Sequence, residues 1–366
     1  MNTSTGSATI STPQATLLVA EREIVTKVRS KTFLISTAIL VLIALAGVIW
    51  MGVQASKDEA LPVAATSDIA SQLDPSAFTV TEVAGRAQAE KLVASGDVDA
   101  AAISDPDSPT GVTVIADDEN PDALISALSV SPTVDLLHPD VAAQKTMRYI
   151  LGLAFALVFM LSALSFGTPI TQSVVEEKQT RVVEILISAI PSRVLLAGKV
   201  LGNTILALGQ ILLLVAVVIV GLTVTGQIDL LRGLGSAMLW FVVFFLFGFI
   251  LLASMFATAG ALVSRQEDTG ATLQPVMWLV MLPYFLVIFL GENPLAMTVL
   301  SYVPFSAPIA MPVRLYFGDA AWWEPLVSLV VMLALCGAVV MLGAKIYENS
   351  LLRMGARVKL LDALKG

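Results

Sequence analysis

The stretch "VVEEKQTRVVEILISAIPSRVLLAGKVLG", residues 174–202, is a charged segment between two long apolar runs. Five of its first eleven residues are charged, namely Glu176, Glu177, Lys178, Arg181 and Glu184. On a helix its valines fall along one side, whereas Glu177, Arg181 and Glu184 follow another. Pro191 interrupts the pattern. The segment therefore predicts an amphipathic helix over residues 174–190, lying at a membrane surface.

The composition is that of an integral membrane protein. Hydrophobic residues make up 56% of the 366 and charged residues only 14%. A water-soluble domain cannot carry this balance without exposing apolar surface. The charge is unevenly distributed, since residues 57–144 hold 3 basic and 16 acidic residues and the remainder holds 18 basic and 13 acidic. This asymmetry predicts that the two parts lie on different sides of a membrane.

Six apolar runs are long enough to cross the hydrocarbon core. They are Phe33 to Val53, Tyr149 to Ile170, Val200 to Thr225, Ser236 to Ser264, Pro275 to Gly291 and Leu326 to Ala344. Basic residues precede the first run and follow the last, which places both termini in the cytoplasm. Segment 57–144 then lies outside the cell, and segment 174–190 lies inside.

The predicted fold class is an all-α polytopic membrane protein with six transmembrane helices and an external α+β domain between the first and second. In the external segment, "AFTVTEVA" and "VDAAAIS" predict strands, "RAQAEKLVASG" predicts a helix, and "GVTVIADDENPDALISALS" predicts strand, turn and helix. The predicted organisation begins with a cytoplasmic N-terminal amphipathic helix (1–32), transmembrane helix 1 (33–53) and the extracytoplasmic domain (54–145). The membrane region that follows (146–344) contains transmembrane helices 2–5, the coupling helix (174–190), the external Pro-rich segment (292–325) and helix 6, which starts at 326. A cytoplasmic tail (345–366) completes the chain.

The Pro-rich segment "SYVPFSAPIAMPVRLYFG" has a proline every four residues, at 304, 308 and 312. This spacing breaks a continuous helix and favours short re-entrant or interfacial pieces, with a plain surface loop as the alternative. Trp322 and Trp323 are predicted to lie at the headgroup level.

The predicted spans contain no Asp, Glu, Lys, Arg or His, so an intrinsic proton-coupled pump is not expected. Their polar residues are hydroxyls and amides, with two interpretations open: a substrate pathway or hydrogen bonding between packed helices. The candidates are Ser162, Ser165, Asn203 and Gln210. Gly198 and Gly202 have the spacing that allows close approach of two helices.

The chain lacks the elements of an enzyme. The phosphate-binding loop requires G-x-x-x-x-G-K-[ST], but the pair Gly198-Lys199 is followed by valine. One histidine and one cysteine supply neither a catalytic set nor a Cys/His metal cluster. We therefore expect no catalytic, cofactor-binding or metal-binding residues. Energy for uphill transport would have to come from a partner.

Segment 174–202 resembles the signature of type-2 ABC exporter permeases, in which a Glu-rich part runs into "E-x-L-L-x-S", a turn and "G-K-x-L-G". The matching positions here are Glu177, Glu184, Leu186, Ser188, Gly198 and Lys199. "YVPFSAPIAMPVRLYFG" and "KIYENSLLRMGARV" are similar to further segments of that family. The branch it resembles is the sodium-exporter permease (NatB-like) branch, which also has a large external domain.

The resemblance implies a permease in the plasma membrane that exports a small ion, such as sodium, or an amphipathic molecule. ATP and Mg would bind to a separate ABC ATPase subunit, contacted by the coupling residues Glu176, Glu177, Arg181 and Glu184. The N-terminal helix would support this surface, and a second permease subunit, identical or paralogous, would complete the transporter within the lipid bilayer. No nucleic-acid partner is expected. The alternative function is a membrane-anchored ligand-binding and signalling protein; a membrane-embedded enzyme is disfavoured.

Overall fold

A computed structural model of the chain describes residues 11–56, 60–75, 77–117, 121–129, 139–180, 185 and 190–351. Two compact units are present: residues 1–46 together with 139–366, and residues 47–138. The elements in chain order are α1 (Thr12–Val28), α2 (Lys31–Ser56), β1 (Leu61–Ala65), α3 (Ser67–Ala70), β2 (Phe78–Glu82), α4 (Arg86–Ser95), β3 (Ala100–Ser104), β4 (Val112–Ala116), α5 (Asp122–Leu128), α6 (Pro139–Gln179), α7 (Ser192–Val224), α8 (Ile228–Leu262), α9 (Thr269–Leu290), α10 (Pro294–Tyr302), α11 (Ala307–Tyr316) and α12 (Glu324–Leu351).

Six helices in the described part of the chain are long and apolar enough to cross a membrane: α2, α6, α7, α8, α9 and α12. Each overlaps one of the six predicted spans, so the prediction of a mostly helical chain with six candidate spanning helices is confirmed. Several helices are longer than the apolar runs. α6, for example, continues through Val174 to Gln179, so the first charged residues of segment 174–202 belong to it.

Helix α8 is the centre of the helical unit and contacts α6, α7, α9, α11 and α12. Phe241, Phe245 and Phe249 repeat every four residues along one of its faces, and the rings of Phe245 and Phe249 stack. They meet three phenylalanines of α6, namely Phe155, Phe159 and Phe166. Offset and edge-to-face aromatic pairs add to the stabilisation by burial. These ring contacts fix the register of α6 against α8.

The second unit is built on a four-stranded sheet of order β2-β1-β3-β4. β1 is parallel to β2 and β3, and β4 is antiparallel to β3. In β1, Val63 and Ala65 join a core that includes Ile69 and Leu124, whereas Ala64 joins a core on the opposite face. The predicted strands and helices of this segment are present, and α4 ends at Gly96 in the left-handed conformation. Strand β1 was not predicted.

The Pro-rich segment forms two short helices, α10 and α11. Pro294 and Pro308 stand in the first turns, where the missing N–H costs little, and Asn293 caps α10 by accepting hydrogen bonds from two backbone amides. Residues 307–314 of α11 are all buried, against α8, α6 and α10. A plain surface loop is therefore excluded. Trp322 and Trp323 are exposed.

Candidate functional site

Helix α1 packs directly on the first turns of α7 because two glycines leave room for it. A Cβ atom at Gly198 would lie 2.5 Å from the Cβ of Val19, and one at Gly202 would lie 2.8 Å from the carbonyl oxygen of Ala20. Neither contact is tolerable without a shift of the neighbouring helix. The close approach predicted from the spacing of these glycines is confirmed, with α1 as the partner.

Four charged side chains meet beside the contact between α1 and α7 and are here called the ion cluster: Arg22, which is partly exposed, and Glu23, Glu177 and Lys199. The ammonium of Lys199 lies 3.0 Å from Oε1 of Glu23 and 3.0 Å from Oε1 of Glu177, with a side-chain exposure of only 1%. It also donates to the hydroxyl of Ser173 at 2.7 Å. Arg22 pairs with both carboxylates. The cluster therefore ties α1, α6 and α7 together at one point.

The charges within the ion cluster balance, since two cations face two carboxylates. Burial alone would raise the pKa of Glu23, but Lys199 and Arg22 outweigh burial and hold the pKa below its usual value. Glu23 is therefore ionised at neutral pH. A buried charge is tolerated only when it is paired and hydrogen-bonded in this way.

Lys178, next to Glu177 in the chain, makes a second set of attachments. Its ammonium donates to the backbone carbonyl oxygen of Ala261 at 2.8 Å and to that of Ser350 at 2.9 Å. Ala261 lies in the last turn of α8, where helix carbonyls lack intrahelical partners and the helix dipole favours a cation, and Ser350 lies on α12. Through two adjacent residues, the end of α6 is thus bound to α1, α7, α8 and α12.

The predicted coupling residues have different positions. Glu176 is exposed, whereas Glu177 turns inward and belongs to the ion cluster. Arg181 and Glu184 lie outside the described residues. Segment 174–190 therefore begins as the last turn of α6, with one of its four predicted coupling side chains committed to the bundle.

The predicted polar residues lie along α6 and α7. Ser162, Asn203 and Gln210 are buried, and Ser165 is half-buried. The amide nitrogen of Asn203 donates to the carbonyl of Lys199 one turn earlier, at 2.7 Å. The hydroxyl of Ser162, the amide oxygen of Asn203 and both polar atoms of the Gln210 amide are buried with no hydrogen-bond partner within the described structure. Hydrogen bonding between packed helices therefore does not account for these atoms.

A second polar cluster lies at the other end of the helical unit, around the buried guanidinium of Arg314. It donates to the hydroxyl of Ser301 at 2.7 Å, lies 2.7 Å from a carboxylate oxygen of Glu324 and donates to the carbonyl of Asp319 at 2.8 Å. Arg148 of α6 pairs with the carboxylate of Asp319. Beside the two arginines is a cavity of about 310 Å³. These contacts hold α10 and α11 to α6 and α12.

The match to known families covers most of the chain. Residues 31–345 match the model of the ABC-2 family transporter protein. The chain belongs to the ABC-2 transporter family. The match includes α2, the sheet unit and all the other spanning helices.

Two curated proteins are similar to this ABC-2 chain. It is 28% identical over 247 residues to the uncharacterized protein YhaP of Bacillus subtilis, a match covering 63% of this chain and 59% of YhaP. It is 27% identical over 212 residues to the uncharacterized protein MJ1024 of Methanocaldococcus jannaschii, covering 55% of this chain and 51% of MJ1024. The chain thus spans little more than half the length of these relatives. No solved structure matches it.

Sequence reasoning missed several residues that the ABC-2 fold brings together. Glu23 is one of them, since its carboxylate accepts a hydrogen bond from the ammonium of Lys199. Leu17 and Val28 of α1 are exposed and Ile24 is half-buried, whereas the buried residues of this helix are Ala15, Val19, Ala20 and Glu23. A glutamate on the small-residue face of α1 and a lysine between two glycines of α7 were the available signals.

The pH dependence of stability provides a test of the packing around Lys27. Its ammonium lies 5.3 Å from the ring centroid of Phe166, and burial lowers its pKa to about 8 from 10.5. Between pH 8 and pH 10.5, Lys27 is protonated in the unfolded chain but largely deprotonated in the folded chain. The unfolded chain therefore binds more protons, and the free energy of unfolding rises with pH through this window. We expect Lys27→Met to raise the melting temperature at pH 7 and to flatten the rise between pH 8 and 10.5. Melting curves of the Lys31→Met control, which removes an exposed lysine, should follow the wild type.

Proposed function

We propose that this chain is the membrane subunit of an ABC transporter, exporting a small ion or an amphipathic molecule with energy from ATP hydrolysed by a separate subunit. Membership of the ABC-2 family supports a permease role. The absence of a phosphate-binding loop from the sequence supports a separate ATPase, which would bind ATP and Mg.

One structural observation carries the mechanism: Glu177 and Lys178 attach the end of α6 to four other helices. The chain that follows, residues 179–190, is the predicted coupling segment. If an ATPase subunit displaces this segment when it binds nucleotide, α6 moves together with α1, α7, α8 and α12. A local push therefore becomes a rearrangement of the bundle, because packed cores switch between discrete arrangements and do not deform continuously.

The orientation follows from charge. Both chain ends outside the acidic segment are rich in Lys and Arg, so the positive-inside rule places them, α1 and residues 179–190 in the cytoplasm of a cell whose plasma membrane holds the protein. The sheet unit is then external, and α10 and α11 close the external side of the bundle. A second permease subunit, identical or paralogous, would complete the transporter.

Export of sodium remains a prediction, since YhaP and MJ1024 are both uncharacterized proteins. A ligand-binding and signalling role for the sheet unit is the competing function. It requires no ATPase subunit, so partner binding separates the two.

The test is a charge reversal in the coupling segment, Arg181→Glu. If Arg181 is solvated, reversing its charge should lower the stability of the helix by about 0.2 to 0.5 kcal/mol. If Arg181 lies in an ATPase interface, the new like-charge contact should weaken partner binding by several kcal/mol. We expect normal membrane abundance with loss of the co-purifying ATPase subunit. The control is Lys145→Glu, which reverses an exposed charge paired with Glu292 at the other end of α6. Wild-type partner binding by Arg181→Glu would remove the coupling assignment.

A further inference from the structure

Several spanning helices carry buried polar atoms without a hydrogen-bond partner in the described structure. Those within the apolar stretches of α2, α6 and α7 are the hydroxyls of Thr37 and Ser162, the amide oxygen of Asn203, and both the oxygen and the nitrogen of the Gln210 amide. Ser162 is 0% exposed and Gln210 3%. Such unpaired groups destabilise a protein, and each one in a native structure needs an explanation.

Helical geometry places Ser162 and Gln210 at one level, facing each other. The hydrogen bond from Lys199 to Ser173 fixes the register of α7 against α6. Gln210 lies eleven residues beyond Lys199, and Ser162 lies eleven residues before Ser173. Eleven residues make three turns, which return a side chain to the same face about 16 Å farther along each helix. The two antiparallel helices therefore present these side chains toward a common position inside the bundle.

Thr37 arrives at the same level from α2. The rings of Phe33 and Phe166 lie 5.7 Å apart, which fixes the register of α2 against α6. One turn farther, on the same faces, are Thr37 and Ser162. Three helices thus direct unpaired polar groups to one level. α2 is also the least buried of the six spanning helices, which leaves a route to this level from the lipid.

The chemistry of these groups selects the ligand. Two hydroxyls and one amide donate and accept hydrogen bonds but carry no charge. The apolar stretches of α2, α6 and α7 at this depth contain no ionisable residue that would neutralise a charged ligand. Three oxygens are also too few to replace the hydration shell of a cation. Leu40, Ala163 and Ile211, which follow the three polar side chains by one to three residues along the chain, belong to the hydrophobic core. Small-molecule sites typically combine apolar walls with a few placed polar groups.

We infer that Thr37, Ser162 and Gln210 form a binding site for the uncharged hydrogen-bonding group of an apolar molecule. Its assignment as the site of the exported substrate rests on the proposed transport function, and it favours an amphipathic molecule over an ion. Asn203 also has an unpartnered amide oxygen, but it lies seven residues before Gln210 on α7, about 10 Å from the level of the site, and its amide nitrogen is satisfied within the helix. The ligand would form hydrogen bonds with the polar atoms of these three side chains, which have no partner within the described protein.

The test uses the purified full-length chain in lipid nanodiscs, without ATPase or ATP, and measures melting temperatures. The probes are decanamide, which has an uncharged amide on an apolar chain, n-undecane, which lacks the amide, and sodium chloride against choline chloride. A ligand that binds only the folded protein raises its melting temperature. We expect decanamide to stabilise the wild type and undecane and sodium to have no such effect.

The deciding variant is Ser162→Ala/Gln210→Met, which replaces polar groups by apolar groups of similar size. We expect its melting temperature without ligand to equal or exceed that of the wild type, because no hydrogen bond is lost. It should need about tenfold more decanamide for the same stabilisation. The matched control is Thr223→Val on an exposed part of α7, which should respond to decanamide as the wild type does.

Three results would overturn the inference: a lower melting temperature of the ligand-free double variant, which would make the side chains packing contacts; equal stabilisation by undecane or by sodium; or an unchanged decanamide response in the double variant. The assay contains no ATPase, so it stays valid even if no ATPase partner is found. That failure would remove the assignment of the site to an exported substrate but not the binding site itself.

Discussion

Replacing Lys199 by Met is expected to destabilise the helical unit by about 3 to 5 kcal/mol, as is typical when one partner of a buried ion pair is removed. Glu23 and Glu177 would then keep Arg22, whose side chain is 43% exposed, as an ion-pair partner, and Glu23 would keep the attraction of Lys27. The measurements are melting temperature in nanodiscs and membrane abundance. Lys199→Arg, which keeps the charge, should lose less than Lys199→Met.

The matched control is Arg193→Met, on the same helix. Arg193 pairs with Glu348, but the two side chains are 68% and 46% exposed, so the expected loss is about 1 kcal/mol or less. A Glu23→Gln/Lys199→Met double variant should recover part of the stability that Lys199→Met loses, since one unpaired carboxylate is removed. Equal losses in Lys199→Met and Arg193→Met would show that the ion cluster is not a buried network.

Gly202→Ala is expected to displace α1 from α7. The new methyl group would lie 2.8 Å from the carbonyl oxygen of Ala20, and a backbone atom cannot rotate away as a side chain can. Overpacking of this kind typically costs about 1 to 3 kcal/mol. Because Glu23 lies on α1, the displacement also weakens its contact with Lys199. We expect a lower melting temperature and faster tryptic cleavage after Arg22 and Lys27.

Gly209→Ala on the same helix is the control, since no atom lies within 4 Å of its added Cβ. Alanine has a higher helix propensity than glycine, so this variant should be unchanged or slightly more stable. Wild-type cleavage of Gly202→Ala would show that α1 does not depend on the close contact.

The six spanning helices were predictable because runs of 17 or more predominantly apolar residues have few alternatives to crossing a membrane. The ends of these helices were less predictable than their centres. Lys178 and Lys199 are charged and were placed outside the predicted spans, but in the fold their ammonium groups reach carbonyls and carboxylates of other helices. Strand β1 was missed because "LPVAA" lacks the β-branched alternation of a strand. Pairing with β2 and β3 is what makes it one.

Much of the candidate site depends on contacts between distant parts of the chain. Helical periodicity predicts that Glu177, Arg181 and Glu184 lie on one face of a helix. Nothing in the neighbouring sequence indicates which of the three turns toward the bundle. Glu177 does so because Arg22 and Lys199 meet it from α1 and α7. Ser162 and Gln210 were identified as polar residues in spans, but their common level follows only from the register of α6 and α7.

The central claim, that residues near the end of α6 meet an ATPase subunit, is tested most directly by site-directed crosslinking. The single cysteine, Cys336, is replaced by Ala, and one new cysteine is introduced at the exposed Gln179 or, as the control, at the partly exposed Thr298 of α10 at the other end of the bundle. A photoactivatable reagent is attached in native membranes, and crosslinked proteins are identified by mass spectrometry. The account predicts a protein with a nucleotide-binding loop crosslinked from Gln179→Cys and not from Thr298→Cys. Crosslinking of that protein from Thr298→Cys alone, or its absence from both, would contradict it.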